Sequence, residues 1–143
     1  MIFSKTCNYG FRAVLYIAKQ PERNFISIRE ISEKLNIPFH FLTKILQLLT
    51  HKNILHSVKG PKGGVALAKD AHFISLLEIM VAIDGTHVFK QCFLGVEECT
   101  ENHYCPLHNN WIELREQLLG ILGKTTLAKF TTEVKESNFQ LAF

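Results

Sequence analysis

The hydrophobic positions of the first fifty residues recur every three or four residues, which is the period of an amphipathic helix. The first such stripe predicts a helix over residues 8–20, which ends at Pro21. The Ser-x-x-Glu capping box at Ser27 begins a second, short helix that stops near Asn36. A proline that suits the first turn of a helix then begins a third helix over residues 38–50. We therefore expect three helices joined by short connections.

The hydrophobic period changes after the third helix. Two short apolar runs, residues 54–58 and 65–68, surround the sequence KGPKGG and predict a β-hairpin with two lysines and three glycines at its tip. A second capping box, at Ser75, begins a helix that closes at Gly85. Residues 86–110 show no sustained period. A strongly periodic helix follows, with the apolar residues Trp111, Leu114, Leu118, Ile121, Leu122 and Leu127. This last helix either folds back onto the first core or pairs with a second subunit.

The order of helix, short helix, third helix and hairpin is that of a winged helix-turn-helix. The predicted fold is mainly α with a small β-hairpin wing. A helix of this kind fits the major groove of DNA, where its polar face reaches base edges. The polar face of the third helix has no acidic residue and consists of His40, Thr43, Lys44, Gln47 and His51. In the wing, Lys59 and Lys62 can lie against phosphates or enter the minor groove, and the glycines let the backbone approach closely.

The net charge of +3 conceals an uneven distribution along the chain. Residues 1–69 carry eleven Lys and Arg against three Glu, a net of +8, whereas residues 70–143 carry five against ten acids, a net of −5. A basic half joined to an acidic half indicates that one end meets a polyanion. Charge alone is equally compatible with charged side chains that cluster by chance on solvated faces. Together with the predicted hairpin, it favours a third helix that binds DNA over a plain core helix whose polar side faces water.

The composition limits the class of protein further. A chain of 143 residues that is 47% hydrophobic and 20% charged is the size of one ordinary domain. No uncharged apolar run approaches the ~20 residues that span a bilayer, and Asn8, Gly10 and Arg12 interrupt any signal-peptide segment. We expect a cytoplasmic protein without a membrane partner. No phosphate-binding loop, catalytic triad or carboxylate pair stands out, so we expect neither an enzyme nor a small-molecule substrate.

Three of the four cysteines fall within fourteen residues and precede a histidine. Cys92, Cys99, Cys105 and His108 have the spacing C-x6-C-x5-C-x2-H. Without a secretory signal, a disulfide framework is not expected. A loop with three thiolates and an imidazole can wrap a tetrahedral or cluster metal site. The spacing also approaches that of CCCH zinc fingers, and a thiol-redox cluster without metal is a third interpretation.

Five segments carry a resemblance to known proteins. They are residues 9–15 (YGFRAVL), 31–33 (ISE), 37–42 (IPFHFL), 58–65 (VKGPKGGV) and 74–79 (ISLLEI). Together they resemble the Rrf-two family of bacterial winged-helix regulators, from residue 3 to about residue 127. The wing sequence is the most distinctive. Pro38 stands where Ser is common, Lys62 where Gly is usual and Lys59 where Arg is usual, which implies a different operator sequence.

The resemblance implies a homodimeric transcription factor, usually a repressor, that binds a double-stranded DNA operator. It divides the chain into a winged helix-turn-helix domain (1–84), a cysteine-rich metal- or cluster-binding loop (85–110) and a dimerisation helix with a C-terminal tail (111–143). The dimer would form through residues 111–127. The residues that would contact DNA are His40, Thr43 and Lys44 in the major groove, and Lys59 and Lys62 in the wing.

The resemblance also implies an iron–sulfur cluster. Cys92, Cys99 and Cys105 would hold it, with a fourth ligand that varies among members of the family. His108, three residues after the last of these cysteines, fits the members in which a histidine completes a [2Fe–2S] cluster. The first cysteine interval is one residue longer than the commonest family spacing, which a short loop would absorb.

Other residues compete for the position of fourth ligand. In some relatives this ligand comes from the partner subunit's first helix, at the position of Asn8. An uncharged amide is a poor iron ligand, but Cys7 beside it could serve, unless it is a small free thiol packed in the core. His103 could also reach the site.

These residues lead to the hypothesis of a switch. Assembly, oxidation or reaction of the cluster with nitric oxide would change operator affinity if the two cluster states differ in their affinity for DNA. The stimulus would be iron–sulfur status, redox state or nitric oxide. The alternative is a zinc-stabilised or thiol-redox winged helix that binds DNA or protein without an iron–sulfur cluster.

Overall fold

The structure, a computed structural model, describes residues 3–95 and 105–137. Six α-helices and one β-hairpin make up most of these residues. In chain order the elements are α1 (Lys5–Ala18), α2 (Ile28–Leu35), α3 (Phe39–His51), β1 (Leu55–Val58), β2 (Gly64–Leu67), α4 (Leu76–Asp84), α5 (His108–Lys124) and α6 (Leu127–Glu136). Short 3-10 turns lie at Ala71–Phe73 and His87–Phe89.

The predicted mainly α fold with a β-hairpin wing is confirmed. The strands pair antiparallel, with Leu55 opposite Leu67 and Val58 opposite Gly64. A third segment joins the hairpin, because the Ile26 N–H donates to the Val65 carbonyl at 3.0 Å and the Val65 N–H donates back at 2.9 Å. The connection between α1 and α2 is thereby bonded to strand β2 of the wing.

Helix α1 lies at the centre of the core, where it packs against α2, α3, α4, α6 and β2. Its close approach to α3 and α4 depends on Gly10, since a Cβ atom there would overlap the side chain of Ile83 and lie 3.1 Å from that of Ile45. The largest fully buried side chains come from every part of the chain and are Leu15, Ile26, Ile31, Leu35, Ile37, Leu42, Leu46, Leu49, Leu55, Ile74, Ile79 and Leu127.

The two predicted capping boxes differ in the structure. At Ser75 both hydrogen bonds of the box form with Glu78. At Ser27 the hydroxyl accepts from the Glu30 N–H, but the Glu30 carboxylate pairs with the Arg23 guanidinium at 2.6 Å. The hydrogen bonds from Arg23 lower the pKa of Glu30 to about 2. Because the folded pKa lies below the ordinary value, the pair stabilises the fold at neutral pH and this contribution is lost as the pH falls from about 4.5 towards 2.

The prediction of one helix from Trp111 through Leu127 is wrong at its C-terminal end. Helix α5 begins at His108 and ends at Lys124, and Thr126 caps a separate helix by accepting the Lys129 N–H at 3.2 Å. Leu127, assigned from sequence to the dimerisation helix, is completely buried in the chain's own core. The reason is a bridge between residues 74–76 and 125–127, in which the Leu127 N–H donates to the Ile74 carbonyl at 2.7 Å.

Gly64 is the residue that allows the wing to join the rest of the domain. Its φ is +154°, a conformation that L-residues rarely adopt. A Cβ atom at this position would overlap the carbonyl oxygen of Ile26. The bridge between Ile26 and Val65 therefore requires glycine at position 64.

We expect Gly64→Ala to lower the free energy of unfolding by about 3 kcal/mol or more, because it combines backbone strain with a collision against main-chain atoms. Gly60 at the wing tip is the matched control, since its φ is +112° but no atom lies within 4 Å of a Cβ there. Gly60→Ala should cost about 1–2 kcal/mol, from strain alone. Urea unfolding measures both. Equal losses for the two variants would contradict the collision.

Candidate nucleic-acid interface and cysteine segment

The polar face of α3 lies on the side of the helix opposite the core. Leu42, Ile45, Leu46 and Leu49 of this helix are buried. The predicted contact residues His40 and Lys44 are exposed, as are Gln47 and His51. Thr43 is half-buried, and its hydroxyl donates to the Phe39 carbonyl at 2.8 Å. A base edge in front of α3 would therefore meet cationic and neutral polar groups on an acid-free surface.

The wing tip presents its two lysines to solvent. Lys59 and Lys62 are exposed on either side of Gly60, and the Gly63 N–H closes the turn by donating to the Gly60 carbonyl at 3.0 Å. A side chain at position 63 would overlap the carbonyl oxygen of Val58, so this turn needs glycine there. The tip is thus narrow and backbone-rich, which suits close contact with a phosphate chain.

Two phenylalanines at the start of α3 depart from the expected pattern. Phe41 falls within the apolar period of the third helix, but it is 39% exposed and packs edge-on against the Tyr9 ring at 5.8 Å. Phe39 is equally exposed and lies under the Arg29 guanidinium at 5.9 Å. Helical periodicity could have predicted this exposure, because both positions fall at the margins of the apolar stripe.

The segment around Cys92 is fastened to helix α5. The Trp111 indole N–H donates to the Gln91 carbonyl at 2.8 Å, and Arg115 donates to the same carbonyl at 3.3 Å. On the other side of Cys92, the Phe93 ring packs edge-on against Trp111 at 5.5 Å. Both chain neighbours of Cys92 therefore contact the same indole, which holds Cys92 beside the N-terminal half of α5.

Cys105 and His108 lie at the beginning of the same helix. The His108 N–H donates to the Cys105 carbonyl at 3.0 Å, and His108 is the first residue of α5. Residues three apart share a helix face, so His108 and Trp111 lie on one side of α5. Cys99 and His103 lie outside the described residues. Among residues 3–95 and 105–137, no three Cys, His, Asp or Glu side chains form a group that could hold a metal ion.

The donor set at this end of α5 fits a metal or cluster that favours sulfur. Cys92 and Cys105 are free thiols and each is partly exposed, so neither is committed to packing. The described residues supply two thiols and one imidazole, and Cys99 would add the third thiol.

Cys7 is in a different environment. It is 1% exposed, and burial together with the neighbouring Asp84 carboxylate raises the pKa of its thiol to about 12. Asp84 is held in place by Ser4, whose N–H donates to it at 2.8 Å and whose hydroxyl also bonds it. A thiol that stays protonated is a poor ligand, so Cys7 matches the packed-thiol interpretation. The neighbouring Asn8 is exposed.

Helix α5 and its N-cap residue Leu107 carry an apolar seam that the described residues leave exposed. Leu107, Leu114 and Ile121 recur every seven residues, and all three are exposed. Trp111 and Leu118 lie between them and are half-buried. This is the spacing of positions that meet a second helix in a coiled coil.

A short helix, a tight turn, an exposed polar helix and a basic hairpin are the parts of a winged helix-turn-helix DNA-binding protein. Residues 3–133 match the Rrf2 family, described as iron-dependent transcriptional regulators. The chain belongs to this family, as its sequence resemblance implied, and it is a transcriptional regulator rather than an enzyme.

Individual relatives agree with this assignment. The chain is 31% identical to the HTH-type transcriptional regulator IscR of Serratia proteamaculans over 121 residues, which cover 85% of this chain and 73% of that protein. Its fold is similar to that of CymR, the global cysteine regulator of B. subtilis, with a TM-score of 0.79 at 21% identity, covering 92% and 96% of the two chains. It is also similar to T. potens IscR, with a TM-score of 0.77 at 19% identity, covering 97% and 92%.

Within residues 3–95 and 105–137, every helix is too short or too polar to cross a bilayer.

We expect iodoacetamide at pH 7.5 to label Cys92 and Cys105 of the native, metal-free protein and to spare Cys7. The thiolate is the reactive form, and burial beside Asp84 holds the pKa of Cys7 at about 12. Peptide mass spectrometry after timed labelling measures the difference. In urea the burial is removed and all three should react. Rapid labelling of Cys7 in the native state would contradict its protonated, buried environment.

Proposed function

We propose that this chain is a homodimeric transcriptional repressor whose affinity for operator DNA is controlled by an iron–sulfur cluster. The observation that carries the proposal is the exposed, acid-free face of α3 together with the exposed lysines of the wing tip. His40, Thr43 and Lys44 would contact base edges in the major groove. Lys59 and Lys62 would contact phosphates on the neighbouring strand or in the minor groove.

Dimer formation is supported by the apolar seam of α5. Exposed leucine and isoleucine at a seven-residue spacing lose unfavourable contact with water when two copies pair along this helix. A two-fold dimer would present two reading heads, each formed by the polar face of α3 and the wing tip of one protomer. These would bind two half-sites of a palindromic operator. Leu127 is not part of this seam, because it is buried in the chain's own core.

The ligands we propose for the cluster are Cys92, Cys99, Cys105 and His108. When bound, a [2Fe–2S] cluster supplies a centre that gains and loses electrons and reacts with nitric oxide. The protein's part is to orient the ligands. Trp111 and Arg115 hold the Gln91 carbonyl, and this fixes the chain direction into Cys92. The turn from Cys105 to His108 brings a thiol and an imidazole to the start of α5.

The same helix offers a route from the ligands to the reading heads. Its C-terminal end is bonded to the winged-helix core, since the Leu76 N–H donates to the Thr125 carbonyl at 3.0 Å. A change in ligand geometry at the first turn of α5 would alter how the two helices of a dimer pack. Operator affinity would change by the difference in DNA affinity between the two arrangements.

We expect the double variant Lys44→Ala and Lys59→Ala to bind DNA at least tenfold more weakly than the wild type. The probe is a duplex selected by the wild-type protein from a random library. Each phosphate contact contributes about −0.9 to the slope of log affinity against log salt, so losing Lys59 from both protomers should flatten the slope by about 2. Fluorescence anisotropy at several salt concentrations measures affinity and slope.

The control for this prediction is Lys129→Ala. Lys129 is exposed on α6, where it faces Glu133 at 3.9 Å, and it lies on neither α3 nor the wing. This variant removes the same charge and should leave both affinity and slope near the wild-type values. If the double variant binds as the wild type does, the DNA-reading surface is wrong.

Anaerobic purification should yield a coloured protein that contains iron and acid-labile sulfide, and Cys99→Ala should abolish the colour. Cys7→Ser should retain it, because Cys7 is buried and its raised pKa keeps the thiol protonated. Absorption spectroscopy with metal and sulfide analysis measures all three proteins. His108→Ala should change the spectrum if the imidazole is the fourth ligand.

A second candidate is a regulator in which the same cysteines bind zinc or act as redox thiols. Its support is that Cys92 and Cys105 are free and partly exposed, and that the fold is similar to a global cysteine regulator. Stoichiometric zinc without visible absorption would replace the iron–sulfur proposal with a zinc site. Reconstituted protein that holds neither metal would leave the thiol-redox version.

A further inference from the structure

The proposed reading surface consists of the polar face of α3 and the wing tip. The ring of Phe39 lies at the edge of this surface, and none of the proposed DNA contacts involves it. It is the first residue of α3 and 39% exposed, next to His40 and one helical turn before Thr43. The Thr43 hydroxyl donates to the Phe39 carbonyl, so the two residues lie on the same flank of the helix. Phe39 thus adjoins the polar face at its N-terminal end, the end from which recognition helices contact base edges.

The contacts of Phe39 are those of a ring held at a surface. Its face lies 5.9 Å from the Arg29 guanidinium, and Arg29 is itself exposed on α2. The centroid of the His40 ring lies 5.6 Å from that of Phe39, and His40 is exposed too. Both neighbours are exposed groups of the basic surface, so the ring is oriented without being buried.

Phe41 provides a comparison within the same turn. It has the same exposed fraction, 39%, but it packs edge-on against Tyr9 of α1 at 5.8 Å. Tyr9 is half-buried and packs against the hydrophobic core. Phe41 therefore joins α3 to α1, whereas the Phe39 ring faces the exposed guanidinium of Arg29 on α2.

DNA offers one apolar group to such a ring. The major-groove edges of the bases present donors and acceptors, and the only methyl group there is the 5-methyl of thymine. Helix α3 carries no acidic residue, so its N-terminal end would approach the DNA backbone without repulsion from its own side chains. A phenyl ring that meets a methyl group in the groove removes apolar surface of both partners from water.

We propose that Phe39 is a specificity-determining residue that contacts the 5-methyl group of a thymine in each half-site, with Arg29 holding the ring in place. This inference rests on the proposed DNA-binding function. It adds an apolar base contact to the polar contacts of His40, Thr43 and Lys44.

The test replaces thymine by uracil, which removes the methyl group and leaves every hydrogen-bonding group unchanged. The probe is the duplex selected by the wild-type protein, with uracil introduced at one thymine position of both half-sites at a time. Burial of one methyl-sized group corresponds to about a fourfold change in affinity. We expect one position at which the double replacement weakens wild-type binding by roughly 15-fold, as two such contacts are lost.

Variants assign this effect to the ring. Phe39→Ala should bind the thymine and uracil duplexes equally, and Phe39→Leu should keep part of the difference because it retains apolar contact. Phe41→Ala is the matched control, since it removes an equally exposed ring, and it should keep the full difference. Circular dichroism confirms that each variant is folded.

Several outcomes overturn the inference. If uracil at every position leaves wild-type binding unchanged, the inference is wrong and no variant is needed to show it. The inference is equally wrong if the selected duplex has no recurring thymine in its half-sites. A thymine preference that persists in Phe39→Ala, or that disappears in Phe41→Ala, assigns the contact elsewhere. Failure of the wild type to select any duplex contradicts DNA binding itself, which is a different result.

Discussion

A backbone bridge between residues 74–76 and 125–127 determines where α5 and α6 lie relative to the winged-helix core. It consists of hydrogen bonds from Leu76 to Thr125 at 3.0 Å and from Leu127 to Ile74 at 2.7 Å, each worth about 1 kcal/mol net. Complete burial of Leu127 adds about 2–3 kcal/mol. Because of this bridge, α6 completes the core against α1, and α5 leaves the core at a defined point. The cysteine segment and the reading surface are thereby linked through one helix.

The N-terminal half of α5 is bonded to the carbonyl group of Gln91. Gln91 accepts hydrogen bonds from Trp111 and Arg115, so the segment that carries Cys92 follows α5. The helix rises about 21 Å from Trp111 to Thr125, which separates these contacts from the bridge at Thr125. Between its two ends the helix contacts α4, and it leaves its leucine and isoleucine seam exposed. Under the proposed function, a change at the ligands therefore acts first on the surface where two copies meet.

Much of the fold could be predicted from local chemistry, because caps, prolines and glycines act over a few residues. Ser75 with Glu78, Pro38 and the KGPKGG tip all lie where local rules place them. The failures depend on distant partners. The apolar period runs unbroken from α5 into α6, and the bridge to Ile74 separates the two helices. At Ser27, Arg23 binds the Glu30 carboxylate that would otherwise have completed the capping box. For the site, spacing predicted which residues would be exposed on α3 and in the wing. It carried no information on Gln91 or the burial of Cys7, because these depend on tertiary contacts.

The bond between Ile26 and Val65, permitted by Gly64, has a mechanical consequence. It joins the wing to the segment that leads into α2, so wing and helices form one stiff unit instead of a body with a flexible arm. Under the proposed function, Lys44 and Lys59 would then meet each half-site of an operator as parts of one body, and regulation by movement of the wing within one protomer is disfavoured. In the proposed homodimer, the separation and angle between the two protomers would remain adjustable. A signal received by such a dimer would be expressed as a change in the half-site spacing that it tolerates.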